Sequence, residues 1–363
     1  MESNYTNIIC KIMNATVKSE ALDLSSYTEE EQFLRIIKEQ TFSPFLYHID
    51  KNKIWRPFYL QAYTINEKFD ILIRDVSSLF DNENIDYIFL KGAELKSLYP
   101  LDFLRQMGDI DILVRKKDYK KAKEILKQHK YNFVDEINYH SSFIKNGLNL
   151  ELHNNLMPNN EPFFNYFKNP FRNAIKKSKN QYTFNPTFNF IYLIQHYIKH
   201  LKSGAGLREI CDIYLFLKNN EVEMTEVRHV LKNNNCEGFL DSLLTIIDII
   251  FDFKKYSYTP VEDINLFIEF SLKSGIHGFG ENNTRVKNEF ITSSKNKLSY
   301  LLKKWFIPIR KLYEVYPFTK SIILIPLGYL IRLFHLISKR KKELNIVVSS
   351  QKDENILRKF GIK

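Results

Sequence analysis

The run Gly108-Asp109-Ile110-Asp111-Ile112-Leu113-Val114 sets two carboxylates one residue apart among β-branched and aliphatic neighbours. In a strand, alternate side chains share a face, so Asp109 and Asp111 point one way while Ile110 and Ile112 enter a core. Carboxylates held that close repel each other unless a cation lies between them, and hard oxygen donors with room for water suit Mg²⁺. Two acids on a solvated strand edge would give the same pattern, so a further carboxylate is needed. Leu148–His153, reading LNLELH, supplies one: Glu151 stands between Leu150 and Leu152 and shares its face with His153. If this strand adjoins the Asp109 strand, the three carboxylates form one cluster. The remaining element is the turn Phe89-Leu90-Lys91-Gly92-Ala93, a strand running through glycine into a helix. There the missing Cβ lets phosphate oxygens approach the backbone, and free N–H groups at the helix start favour anions. A plain β-to-α turn has the same appearance.

These residues need a scaffold, and the hydrophobic periods outline one. Residues 1–81 read as an N-terminal helical region: Glu29–Gln40 and Phe69–Phe80 repeat apolar residues at helical spacing. Residues 82–155 carry the expected strands, Ile85–Leu90, Asp109–Val114, Tyr131–Ile137, Ser141–Lys145 and Leu148–His153. Two helices interrupt them, Ala93–Tyr99 and Lys117–His129. That order predicts an α+β fold, a small mixed β-sheet with helices on one side, embedded in N-terminal and C-terminal helical regions. After Met157 the helical period is expected to persist, over Phe188–Leu201, Leu207–Lys218, Glu226–Lys232 and Phe239–Phe253. Residues 156–256 are thus read as a helical domain and 257–363 as a basic C-terminal helical region. The 29 Phe and 21 Tyr are read as packing rather than as base-stacking platforms, since residues such as Phe184, Phe188 and Tyr192 recur at helical spacing.

Lys91-Gly92, Asp109-x-Asp111 and Glu151-x-His153, lying in one strand-rich segment, resemble the nucleotidyltransferase superfamily of DNA polymerase β-like folds. More closely, LKGAELKSLYP, Arg105 with GDIDILV, and LELH resemble an uncharacterised bacterial nucleotidyltransferase family. HYIKHLKSGAGLREICDIYLFL, with His196, His200 and Asp212, is similar to that family's helical region, and the likeness covers about Ile85 to Leu217. The resemblance implies that Asp109 and Asp111 ligate two Mg²⁺ and that Glu151 binds the one nearer the acceptor. It implies nucleotide binding by Lys91, Gly92, Arg105 and Gly108, with an NTP such as ATP as donor. The implied reaction moves NMP to a hydroxyl or phosphate of a small-molecule, glycan-precursor or peptide acceptor and releases pyrophosphate. Two departures stand out: Gly92-Ala93 replaces the superfamily's usual Gly-Ser or Gly-Gly, and Glu151 stands where many relatives use Asp. Supporting roles have bland counterparts. Arg105 pairs either with a phosphate or with Asp102 or another surface acid; His153 orients Glu151 or the acceptor, or is structural. Arg208 and Asp212, at i and i+4, make either an intrahelical ion pair or nucleotide contacts. Competing readings are a toxin-like nucleotidyltransferase acting on tRNA or protein, and a non-catalytic nucleotide-binding or membrane-associated assembly protein.

Charge narrows the partners. Of 53 Lys and Arg, 16 lie from Lys295 onward with only four Asp and Glu, so that segment carries +12 and the first 294 residues carry −1. A nucleic-acid domain would ordinarily spread its basic residues over the main fold, which makes nucleic acid an unfavoured partner. Residues 321–342, SIILIPLGYLIRLFHLISKRKK, allow a spanning helix, a buried helix with a solvated tail, or peripheral contact with anionic membrane. Three cysteines without ligand spacing argue against a disulfide scaffold or structural zinc. Residues 1–17 lack an uninterrupted apolar run, so the expected location is cytoplasmic, with the inner face of the membrane as a variant.

Overall fold

The computed structural model describes residues 3–274 except Asn138, Gly204 and Asp263, then Trp305, Phe306, Ile309, Leu312, 316–321, 324–339 and 356–362. Helices α1 (Ser3–Lys18), α2 (Glu31–Glu39), α3 (Ser43–Ile49) and α4 (Arg56–Asn82) come first. Next are β1 (Tyr87–Phe89), α5 (Gly92–Leu95), β2 (Asp109–Val114), α6 (Tyr119–Gln128), β3 (Asn132–Ile137), β4 (His140–Lys145) and β5 (Leu148–His153). A short α7 (Phe164–Phe167) and strands β6 (Ala174–Lys176) and β7 (Gln181–Phe184) precede α8 (Pro186–Ser203) and α9 (Arg208–Asn219). Then follow α10 (Met224–Asn233), α11 (Glu237–Phe251), α12 (Ile264–Ser274) and α13 (Ile325–Lys339).

The strands form one mixed sheet in the order β3-β4-β5-β2-β1-β7-β6. Its α+β character matches the sequence expectation, with two strands more than the apolar pattern announced. The segment from Ala174 to Phe184, read in sequence as part of a helical stretch, is a hairpin that adds β7 parallel to β1 and β6 at the edge. Its local signal was masked by Lys176, Lys177 and Lys179, residues of the kind that discourage further pairing at a sheet edge.

Strand alternation divides the interior in two. Ile110, Ile112, Leu150 and Leu152 bury against Phe69, Leu72, Val76 and Phe80 of α4 and Ala122 and Leu126 of α6. Each of these side chains other than Ala122 contributes about 1.5–3 kcal/mol on burial. From the opposite face Ile88, Leu90 and Leu113 join a larger core with residues of α1 to α3, α8, α9 and α11. Phe184, Phe188 and Tyr192 are buried there as packing aromatics, with Phe184 and Phe188 rings 4.8 Å apart. Gln40, fully buried, ties distant elements together: its Nε2 donates to the Ser271 carbonyl at 3.1 Å and its Oε1 accepts from the Leu207 amide at 2.7 Å.

The placement of β5 depends on a two-residue turn. Asn146 and Gly147 both have positive φ, +53° and +76°, between the paired residues Lys145 and Leu148. Such a turn twists in the sense of the flanking strands and fixes their register. A Cβ on Gly147 would meet nothing within 4 Å, so a substitution meets only the backbone cost of a left-handed conformation. Gly147→Ala is expected to destabilise the protein by about 1 kcal/mol in urea unfolding, with an unchanged m-value; an effect near zero would show that this turn does not hold the register.

No helix among the described residues is long and apolar enough to cross a membrane. Arg340, Lys341 and Lys342, the basic end of the membrane-contact expectation, and most of the 257–363 region lie outside the described residues.

Candidate active site

β2 and β5 run parallel with Asp109 opposite Asn149, Asp111 opposite Glu151 and Leu113 opposite His153. In a parallel pair, partners project to the same face. Asp109, Asp111, Glu151 and His153 therefore stand on the face opposite α4 and α6. One carboxylate oxygen from each of Asp109, Asp111 and Glu151 lies within 4.8 Å of the other two. Asp111 is buried, Glu151 half-buried, and Asp109 opens onto solvent.

Two basic groups meet at Asp111. Lys91 Nζ lies 3.0 Å from its Oδ1, and His153 Nε2 lies 2.8 Å from the same atom and 3.3 Å from Glu151 Oε2. Lys91 is placed by the turn between β1 and α5, where it adopts φ +50°, a conformation costing a non-glycine residue about 1–3 kcal/mol. Gly92 follows, and a Cβ there would come within 3.0 Å of Met107 Cγ, so the loop before β2 packs on the glycine. Burial opposes ionisation of Asp111, but Lys91 and His153 outweigh it and hold the carboxyl well below the usual range. Burial likewise disfavours the imidazolium of His153, yet its bonds to Asp111 and Glu151 raise its pKa. Asp109 has no such contacts: the surrounding protein first, and then the Asp111 carboxylate, push it up to about 6.

That shift carries a sign. Between the unfolded value of 3.8 and about 6 the folded protein holds a proton that the unfolded chain has released, so the charge on Asp109 opposes folding increasingly as pH rises. In EDTA, Asp109→Asn should raise the melting temperature at pH 8 clearly more than at pH 4.5. An equal change at both values would mean that folding does not raise the Asp109 pKa.

Lys91, Gly92, Arg105, Gly108, Asp109, Asp111, Glu151, His153, Arg208 and Asp212 all line one cleft of about 490 Å³. Its far wall is the inner side of α8 and α9. Arg105 and Asp212 meet there as a buried pair, with Nε 2.7 and 2.9 Å from the two carboxylate oxygens, and the Tyr99 hydroxyl also donates to Asp212 at 2.7 Å. Arg105 is thus paired with a buried acid of α9, not with Asp102 or a surface acid. Asp212 is taken by Arg105 and Tyr99 rather than by Arg208, whose Nη1 donates to the Gln106 carbonyl at 3.2 Å and to Thr41 Oγ1 at 3.3 Å. Glu94, at the foot of α5, accepts from the Thr183 hydroxyl and from Asn189 Nδ2, fastening the turn to β7 and α8.

Tyr139, His140, Glu161, Tyr192, Gln195 and Lys199 also line the cleft, and nothing in their spacing marks them. His140 Nε2 lies 3.7 Å from Glu151 Oε1. His196, already noted in the helical segment, is a lining residue whose burial, followed by the nearby Lys91 and His200, pushes its pKa well down, so it stays neutral.

Against known proteins, a family model described as uncharacterised nucleotidyltransferase matches residues 28–252. No curated protein matches the chain. Among solved structures it is similar to ANT(2")-Ia in complex with adenylyl-2"-tobramycin, with 10% sequence identity and a TM-score of 0.34 over 45% of this chain and 95% of that one.

Proposed function

The chain belongs to the uncharacterised nucleotidyltransferase family, and from that premise we propose how its cleft performs NMP transfer and on what. The donor is an NTP, ATP among them, and the acceptor is a hydroxyl or phosphate of a small molecule, glycan precursor or peptide. The observation that carries this reading is the convergence of Asp109, Asp111 and Glu151 from two paired strands.

Their chemistry fits a hard divalent cation. All three donors are carboxylates, one is buried and two reach the open side, and the raised pKa of Asp109 registers a charge that a cation would offset. Asp109, Asp111 and Glu151 would hold Mg²⁺, two ions in this proposal. When bound there, Mg²⁺ supplies charge stabilisation at the phosphoryl oxygens and makes an acceptor hydroxyl more acidic. The protein's own groups do the rest. Lys91 and the Gly92 turn bind the triphosphate, His153 orients Asp111 and Glu151, and the walls formed by α8 and α9 restrict water. The acceptor oxygen bonds to the α-phosphorus as the oxygen bridging to the β-phosphorus leaves with its electron pair on pyrophosphate, and the acceptor proton passes to solvent.

Incubation of the protein with each NTP, Mg²⁺ and a metabolite extract should yield pyrophosphate and an acceptor heavier by one NMP, read by mass spectrometry. Absence of both, with no Mg²⁺-dependent NTP binding by calorimetry, would refute the proposal.

The proposal also places residues 321–342 against anionic membrane, because α13 exposes Leu327 and Leu330 beside a basic segment. Flotation with phosphatidylglycerol liposomes should weaken at least tenfold when residues 321–363 are removed; equal flotation would reject the contact.

A further inference from the structure

A second pocket, of about 290 Å³, opens where the parallel strands β2 and β5 end, bounded by Val114 and Asn154. It is lined by Arg115, Lys116, Lys117, Lys168 and Arg172, and no acidic residue lines it. The first 294 residues together carry a charge of −1, so five cations around so small a space are a local departure from a nearly neutral body. Like charges gathered this way repel one another and lower stability until an anion offsets them.

One of the five is held in place. Arg115 Nε donates to Asp86 Oδ2 at 2.7 Å, and Asn180 Nδ2 donates to the other oxygen of Asp86 at 3.2 Å. The guanidinium also lies over the Phe171 ring, 4.3 Å from its centroid, with Tyr182 at 5.7 Å. A guanidinium fixed at Nε and stacked on an aromatic face presents its outer N–H groups in a set direction, the arrangement suited to a phosphate. The side chains of Lys116, Lys117, Lys168 and Arg172 make no hydrogen bond or ion pair among the described residues. Their charge is available to a ligand.

The geometry points to a second anion site, which binds the phosphate group of a small soluble ligand at the carboxyl ends of β2 and β5. The volume suits a phosphate or a phosphorylated sugar, near the lower end of ligand pockets in general. Crevices at the carboxyl ends of parallel strands are common ligand positions. The site is separate from the carboxylate cleft: Val114 follows Asp111 by three residues, about 10 Å along the strand, and the two pockets share no lining residue.

Calorimetric titration with inorganic pyrophosphate in EDTA tests the assignment. The variant Lys116→Gln/Lys168→Gln/Arg172→Gln should bind at least tenfold more weakly than the native protein, whereas Lys18→Gln/Lys120→Gln/Lys232→Gln, which removes three exposed lysines outside both pockets, should bind as the native protein does. The three side chains altered at the pocket are exposed, so circular dichroism should not change and the melting temperature, relieved of like-charge repulsion, should not fall. The assignment fails if the native protein does not bind pyrophosphate, if the Lys116→Gln/Lys168→Gln/Arg172→Gln variant binds equally well, or if the Lys18→Gln/Lys120→Gln/Lys232→Gln variant loses as much binding. It also fails if a 12-nucleotide single-stranded RNA depends on Lys116, Lys168 and Arg172 while pyrophosphate does not, an outcome that would make the patch a nucleic-acid surface.

Discussion

Glu151→Gln is expected to lower NMP transfer at least about 10³-fold, the order lost when one charge-stabilising group is removed from a phosphoryl-transfer site. That corresponds to about 4 kcal/mol of transition-state stabilisation. The substitution keeps the shape of the side chain and its place opposite Asp111, so only one charge in the cluster changes. Asp111→Asn should be at least as damaging to activity, but it also leaves the Lys91 ammonium and His153 without their carboxylate, so its melting temperature should fall as well. The pairing of the two variants separates chemistry from folding. Steady-state pyrophosphate release, measured with circular dichroism on the same samples, provides the check: less than a tenfold loss in folded Glu151→Gln would remove this carboxylate from the reaction.

The largest expected effect on stability belongs to Arg105. Its pair with Asp212 is buried on both sides and joins the loop before β2 to α9, with Tyr99 completing the carboxylate's contacts. Arg105→Met leaves Asp212 as a buried charge without a cation, which costs about 3–5 kcal/mol. Removing both charges, in Arg105→Met/Asp212→Leu, should restore much of that loss, since a well-packed apolar replacement meets no desolvation penalty. Urea denaturation of the single and double variants measures the coupling. Additive losses would mean that the pair, for all its 2.7 Å contact, contributes no interaction of its own.

Arg105 also illustrates where sequence reading ran short. It was legible as a residue close to the carboxylates, but its partner lies 107 positions away, and proximity in sequence suggested Asp102 instead. Arg208 and Asp212 satisfied the spacing of a helical ion pair, and the closer hydrogen-bonded Arg105 displaced it. The Ala174–Phe184 hairpin was hidden because lysines suited to an exposed edge interrupt its alternation. Tyr139, Glu161 and Lys199 carry no local pattern at all; folding alone brings them to the cleft.

What the sequence determined by itself was local and periodic. Side chains alternate along a strand, so Asp109 and Asp111 had to share a face, Glu151 and His153 had to share another, and Ile110, Ile112, Leu150 and Leu152 had to turn away into a core. Only the tertiary structure decided that the two faces are one: β5 pairs with β2 in the register that sets Glu151 beside Asp111 and brings His153, 42 residues along, to 2.8 Å. Strand pairing depends on which distant segments bury apolar surface against the same helices, a property of the assembled chain that no short window of residues contains.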